Sequence, residues 1–255
     1  MAYKHAYSRA YSRAGIAALM ALPLAVIPVQ LAAAPAKAKV RAAPTFNCAR
    51  AASRSEKLIC QYADLAALDR AVGAAYQTAL AKLDARARKA LQEDQQAFLR
   101  LREGVANPDF THFDPRPARQ RMATVLTERR NFLRSIRKPD SRAIVTGEWR
   151  NLFGGPVIKA WPPRAFEVDV ATADPLSVRW VCEAKGIAGH RGGAVVLDAD
   201  PDTGPDTGVE LRFVREGDML TISQHYPPDT YGNGNCGLNG TMAGHYFYVA
   251  GKGSK

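Results

Sequence analysis

The chain has 255 residues and a formal net charge of +11, with 35 Lys and Arg against 24 Asp and Glu; that length suffices for two small cores. Its basic residues form no long block interleaved with aromatics, which argues against a nucleic-acid-binding protein. The sequence also lacks a P-loop, a dinucleotide-binding glycine pattern and a G-x-S-x-G setting, so no catalytic centre is legible in it.

Residues 1–38 read as a secretory signal peptide. A polar, basic start precedes the apolar run from Gly15 to Ala34, and Ala34-Pro35-Ala36 and Ala36-Lys37-Ala38 offer small-x-small cleavage sites. A single membrane anchor is the rival reading on length, but Pro23, Pro28 and the Ala-rich end favour cleavage, leaving no span in the exported chain. The leader carries Lys4, Arg9, Arg13 and Lys37 and no acid, so the remainder holds 31 basic and 24 acidic side chains, or +7. A basic surface favours acidic partners, and a solvated surface is the plainer explanation.

The next stretch, Phe46 to Leu83, organises the rest. Ser53 or Ser55 can cap a short helix carrying Leu58, Ile59 and Cys60, with Glu56 placed as a capping box wants after Ser53. Asp64 is a good cap for the following helix. There Leu65, Leu68, Val72, Ala75, Tyr76, Ala79, Leu80 and Leu83 recur every three or four positions and make one apolar stripe. Asp69, Arg70, Gln77 and Lys82 fall largely off it. Residues 84–106 read as a third helix capped by Asp84, with Leu91, Phe98, Leu101 and Val105 inward and the adjacent Glu93 and Asp94 on a solvated face. Asn107 to Pro117 breaks the pattern, and Asp114-Pro115 reads as the start of a last helix. Met122, Val125, Leu126, Phe132, Leu133 and Ile136 form its inner side; Arg129, Arg130, Arg134, Arg137 and Lys138 lie outside as a basic face.

Residues 139–146 read as a linker between a helical domain, 44–138, and a β domain, 147–250. From Gly147 the period changes to two. Phe166, Val168 and Val170 alternate with acids, as do Val178, Trp180, Cys182 and Ala184 with polar residues, and Val209, Leu211 and Phe213 with Glu210 and Arg212. Short strands with Gly, Pro and Asp turns predict an antiparallel sandwich or small barrel. The fold class is therefore α+β: a disulfide-stapled helical bundle, then a small antiparallel β-sandwich or barrel.

Four cysteines, two in each half, suit an oxidising compartment. They allow three pairings; Cys48–Cys60 with Cys182–Cys236 keeps each bridge inside one half of the chain. No C-x2-C pair is present to suggest zinc. Asp198, Asp200 and Asp202 resemble the start of a calcium loop, but Thr203 stands where glycine belongs and Val209 where a bidentate Glu belongs. His190, His225 and His245 show no ligand spacing. We therefore expect no metal, no cofactor and no catalytic residue. The candidate binding residues are Tyr226, Tyr231, Asn233 and Asn235 on the loop around Cys236, and Arg129, Arg130 and Arg134 on the last helix.

The order Cys48, then Glu56-Lys57-Leu58-Ile59-Cys60, Leu65-Ala66-Ala67-Leu68-Asp69, Tyr76 and Gln95-Gln96-Ala97-Phe98-Leu99-Arg100 resembles the N-terminal domain of LprI-type lysozyme inhibitors. The resemblance covers roughly Phe46 to Glu103. The family usually shows Trp where Phe98 stands and a further cysteine pair near the end of the domain. The resemblance implies a helical fold and a periplasmic or secreted protein that binds a lysozyme or other wall-degrading enzyme without chemistry. Animal lysozymes are usually basic, so a +7 chain opposes them at long range, and a locally acidic patch such as Asp198 to Asp206 would have to compensate. The alternative partner is an anionic envelope polymer held by the basic helical face, with binding that weakens as salt rises. At the level of shape alone, the opening Gly147-Glu148-Trp149 and the closing Gly244-His245-Tyr246 are similar to small barrels of envelope inhibitors and lipocalin-like proteins.

Overall fold

The computed structural model describes residues 43–112, 114–141, 144–199, 209–226 and 235–249. The leader reading falls outside them. Four helices come first: α1 Arg54–Gln61, α2 Ala63–Lys82, α3 Ala85–Val105 and α4 Ala118–Ser135. Cys48, on a 3₁₀ turn, is bridged to Cys60 near the end of α1.

The start of α1 follows the capping-box chemistry. Ser53 Oγ accepts the Glu56 N–H at 3.2 Å, while Glu56 accepts the Ser53 N–H at 3.2 Å and the Ala52 N–H at 2.9 Å. Those backbone donors hold the Glu56 carboxyl below its ordinary range. Glu103, from the end of α3, accepts the Arg54 and Ser55 N–H groups at 3.0 Å each, so a second carboxylate sits at the positive end of the same helix.

The α2 stripe buries Leu65, Val72, Ala75 and Ala79. Asp69 departs from its expected place. It is 3 % exposed and accepts the Thr45 N–H at 2.8 Å, the Thr45 hydroxyl at 2.6 Å and Arg102 Nη1 at 2.7 Å. The carboxylate is tolerated inside because these three donors, one of them a guanidinium, are aimed at it. Two helix starts also differ. α2 begins directly after α1 with Tyr62 as the cap residue, and Asp64 sits in its first turn, paired with Arg119 at 3.0 Å. α4 begins at Ala118 after Pro117. Pro117 disfavours helical geometry at the residue before it, and Asp114 instead folds onto Arg116 at 2.7 Å.

Eight antiparallel strands then close into a barrel in chain order, β8 pairing with β1. They are β1 Gly147–Arg150, β2 Gly154–Trp161, β3 Ala165–Ala173, β4 Val181–Arg191, β5 Ala194–Ala199, β6 Val209–Glu216, β7 Met219–His225 and β8 Gly244–Val249. Closure removes the free edges an open sheet would leave. Trp149, Val168, Val170, Leu211, Phe213, Leu220 and Tyr246 fill the interior at 1 % exposure or less. Trp149 Nε1 donates to the Val145 carbonyl at 2.8 Å, and the Tyr246 hydroxyl to the Met242 carbonyl at 2.7 Å, so both buried polar tips are satisfied. Burial pushes the Tyr246 hydroxyl well above the ordinary range.

The expected strand over Val178 and Trp180 starts later, at Val181. Asp174 explains the delay. Its carboxylate accepts the Leu176 N–H at 3.1 Å, the Ser177 hydroxyl at 2.6 Å and Arg179 Nε at 3.3 Å, which winds residues 174–180 into a turn. Burial alone would raise that carboxyl; the hydrogen bonds outweigh it and hold it below its usual range.

Helices and barrel share a core. Met219 and Phe247 point outward from the barrel and join the helical cluster, and the Phe132 and Phe247 ring centroids lie 6.3 Å apart. At the β6–β7 turn Asp84 and Asp218 exchange bonds, each carboxylate accepting the other's N–H at 2.8 Å. Gly217 in that turn has φ +64°, and a Cβ there would meet the Asp84 carboxylate.

Candidate binding site

The basic face expected on α4 divides. Arg134 is exposed, and Arg130 is half-buried with its guanidinium on Asn131 Oδ1 at 3.1 Å. Arg129 is not on that face: its side chain is 1 % exposed. It donates to Asp94 Oδ2 at 2.5 Å and, through Nε and Nη2, to Gln95 Oε1 at 2.9 and 2.7 Å. The rings of Phe98 and Phe132 lie against it at 5.2 and 5.1 Å. Asp94 is likewise buried rather than solvated, and its other oxygen accepts the Leu152 N–H from the β1–β2 turn at 2.9 Å. These charges fasten the helices to the barrel. Beside them a cleft of about 710 Å³ opens between α3, α4 and the β1–β2 turn, walled by Phe98, Phe132, Leu152 and Phe153 with Glu128 and Arg150 among its polar groups.

Of the other candidate residues, Tyr226 and Asn235 lie at one end of the barrel, the end carrying the β1–β2 turn, the 174–180 turn and the Cys182–Cys236 bridge. The strand register places these segments together: Gly154 is opposite Thr172, Cys182 opposite both Thr172 and Cys236, and Ile222 opposite Gly244. Tyr226 is 42 % exposed just after β7. The Asn235 carbonyl accepts the Glu183 N–H at 2.9 Å and the Val181 carbonyl accepts the Gly237 N–H at 2.9 Å, so the loop is bonded to β4 on both sides of the disulfide. Tyr231 and Asn233 lie outside the described residues.

The sequence reading missed the apolar residues that surround this bridge. Leu238 is 84 % exposed, Val178 65 %, Val181 42 % and Phe153 38 %. The Phe153 and Trp180 rings lie 5.9 Å apart, and Trp180 packs against Gly237, whose Cβ, were there one, would meet the Trp180 backbone at 3.2 Å. The available signal was a leucine in an otherwise polar, glycine-rich loop and a valine in a turn begun by Asp-Pro. A groove of about 230 Å³ continues from Phe153 and Trp180 to Glu93 and Ala97 of α3.

The histidines are spread apart. His190 meets Phe166 edge-on at 5.2 Å between centroids, the His225 ring is 3.2 Å from the Ser223 hydroxyl, and His245 Nδ1 is 3.2 Å from the Thr221 hydroxyl. Asp198 pairs with Arg191 at 2.8 Å; Asp200 and Asp202 lie outside the described residues. Among the described residues no group of three His, Cys, Asp or Glu is placed to hold a metal ion, and no helix is long and apolar enough to cross a membrane.

Residues 48–131 match the family model described as lysozyme inhibitor LprI. The match begins at Cys48 and takes in α1, α2, α3 and most of α4, the same helices whose sequence pattern resembles that family. No curated protein and no solved structure matches the chain.

Proposed function

We propose that this protein is an exported cell-envelope protein that binds a lysozyme or a related wall-degrading enzyme and acts by occluding its cleft, without catalysis. The observation that carries the reading is the match of residues 48–131 to the lysozyme inhibitor LprI family, on helices held by the Cys48–Cys60 bridge. Two disulfides suit an oxidising compartment, the periplasm or the exterior, and the signal-like sequence of residues 1–38 agrees with that placement. Binding of this kind calls for a surface of ordinary size, roughly 800 Å² on each partner, and for no cofactor.

The test is the clearing of a suspension of bacterial walls by a lysozyme. Added oxidised protein should slow clearing in proportion to its amount and reach a plateau near stoichiometry. Clearing that proceeds unchanged with lysozymes of several types at low salt would overturn the reading.

A further inference from the structure

We propose that a hollow at the end of the barrel carrying the β2–β3 and β4–β5 turns binds a sugar ring bearing an acidic group, as one unit of an anionic glycan. The inference goes beyond the inhibitor reading and does not rest on it.

The hollow is built from facing strands. Trp161 ends β2 opposite Ala165, Ala160 is opposite Phe166, and Phe166 is opposite Ala188 on β4. Phe166 and Ala188 are buried. His190, two residues beyond Ala188, shares its face of β4, and its ring meets Phe166 edge-on. With the turn Pro162-Pro163-Arg164 these residues enclose about 430 Å³, room for a small ligand. Each proline fixes its own φ, and Pro162 keeps Trp161 extended. The turn therefore presents its side chains with little left to order on binding.

Trp161 stands on the rim, 50 % exposed. Among the described residues no ring packs on its indole and no group accepts from its N–H. The C–H bonds on one face of a sugar ring carry partial positive charge and suit the negative face of such a ring.

Charge decides what kind of sugar. The other cations near this end are already paired: Lys159 with Glu167 at 3.2 Å, Arg191 with Asp198 at 2.8 Å and Glu210 at 2.6 Å, and Arg212 with Glu210 at 3.0 Å. Arg164 is exposed and has no acidic partner among the described residues, and no carboxylate lines the hollow. Its guanidinium and the Trp161 indole only donate hydrogen bonds. A free guanidinium beside a bare aromatic face calls for a ligand rich in acceptors, with an acid group and a C–H face. An acidic sugar has all three. A nucleic-acid strand would also stack on Trp161, but it needs cations along its backbone, and Arg164 is alone at the hollow.

The experiment is ¹⁵N–¹H NMR of the purified oxidised protein. The Trp161 indole signal is identified by its absence in Trp161→Phe. Two acidic probes are titrated: the disaccharide of N-acetylglucosamine and N-acetylmuramic acid, which bears a carboxylate, and N-acetylglucosamine 1-phosphate. Neutral diacetylchitobiose is the control, with phosphatidylglycerol vesicles and oligothymidylate as rival ligands. At least one acidic probe should shift the Trp161 signal saturably, and the neutral sugar should bind about tenfold more weakly, for want of a charge-assisted hydrogen bond. Arg164→Gln should bring the acidic probe down to the affinity of the neutral sugar and leave the neutral sugar unchanged, a pattern that misfolding cannot give. Trp161→Ala, read at the Ala165 amide, should lose both. No saturable shift with either acidic probe, equal affinity for acidic and neutral sugars, or a preference that survives Arg164→Gln overturns the inference. A shift with vesicles or oligothymidylate but with no sugar overturns it too, and assigns the hollow to a bilayer or a nucleic acid. No lysozyme enters these titrations, so their outcome leaves the inhibitor reading as it was.

Discussion

Replacing Arg129 tests how helices and barrel are joined. The Arg129 and Asp94 side chains are 1 % and 8 % exposed and 2.5 Å apart, and Asp94 also holds the Leu152 N–H of the barrel. Arg129→Met keeps much of the apolar contact with Phe98 and Phe132 but leaves a buried carboxylate without its cation and Gln95 Oε1 without two donors. Removing one partner of a buried pair costs about 3–5 kcal/mol. For a folded unit of this size, each kcal/mol moves the midpoint roughly 2–4 °C, so the expected loss is roughly 6–20 °C. The assay is thermal unfolding followed by circular dichroism, with denaturant unfolding as a check on the free energy. Asp94→Asn combined with Arg129→Met should be less destabilised than Arg129→Met alone, because the orphaned charge is gone while an acceptor for Leu152 remains. A single-variant midpoint within about 2 °C of wild type would refute the reasoning and return Arg129 to the solvated face.

Three further outcomes follow from the same geometry. Asp69→Ala strips Arg102 of its buried partner and Thr45 of its acceptor and should cost about 3–5 kcal/mol in denaturant unfolding; a cost near that of a surface change would show that the site is wet. Gly217→Ala puts a Cβ at φ +64° against the Asp84 carboxylate and should cost about 1–3 kcal/mol, whereas an unchanged midpoint would mean the β6–β7 turn is free of α3. Stability should also fall in acid. The Glu56, Asp84, Glu103 and Asp174 carboxyls all titrate below their ordinary values in the fold: backbone N–H bonds lower Glu56, and in the other three hydrogen bonds outweigh burial. Their stabilisation is therefore complete above the unfolded-state values near 4 and is lost as pH falls through the lower folded ones. Melting scans between about pH 6 and pH 3 should show the drop, smaller in Glu103→Gln; a flat profile would contradict it.

Periodicity alone located α2, α3, β3 and β6, and β4 apart from its start, because amphipathic elements write their buried face into the spacing of apolar residues. The Ser53 and Glu56 capping box was legible for the same local reason: both partners lie within one turn. What escaped the sequence depends on distant partners. Asp69, Asp94 and Arg129 look like solvated charges until Arg102, Gln95 and Leu152 arrive from elsewhere in the chain. The strand break at Val178 escaped because Asp174 recruits Ser177 and Arg179 against the alternation of two. The candidate surface was half legible. Tyr226 and the Cys236 loop stood out by composition, but Phe153, Val178 and Leu238 come together only when the barrel closes.

The most direct test of the central claim is the wall-clearing assay run as a titration at fixed lysozyme. The account predicts clearing that slows with each addition and levels off near stoichiometry, with the added protein recovered intact. Undiminished clearing at a large excess of protein, across lysozymes of several types, would contradict it.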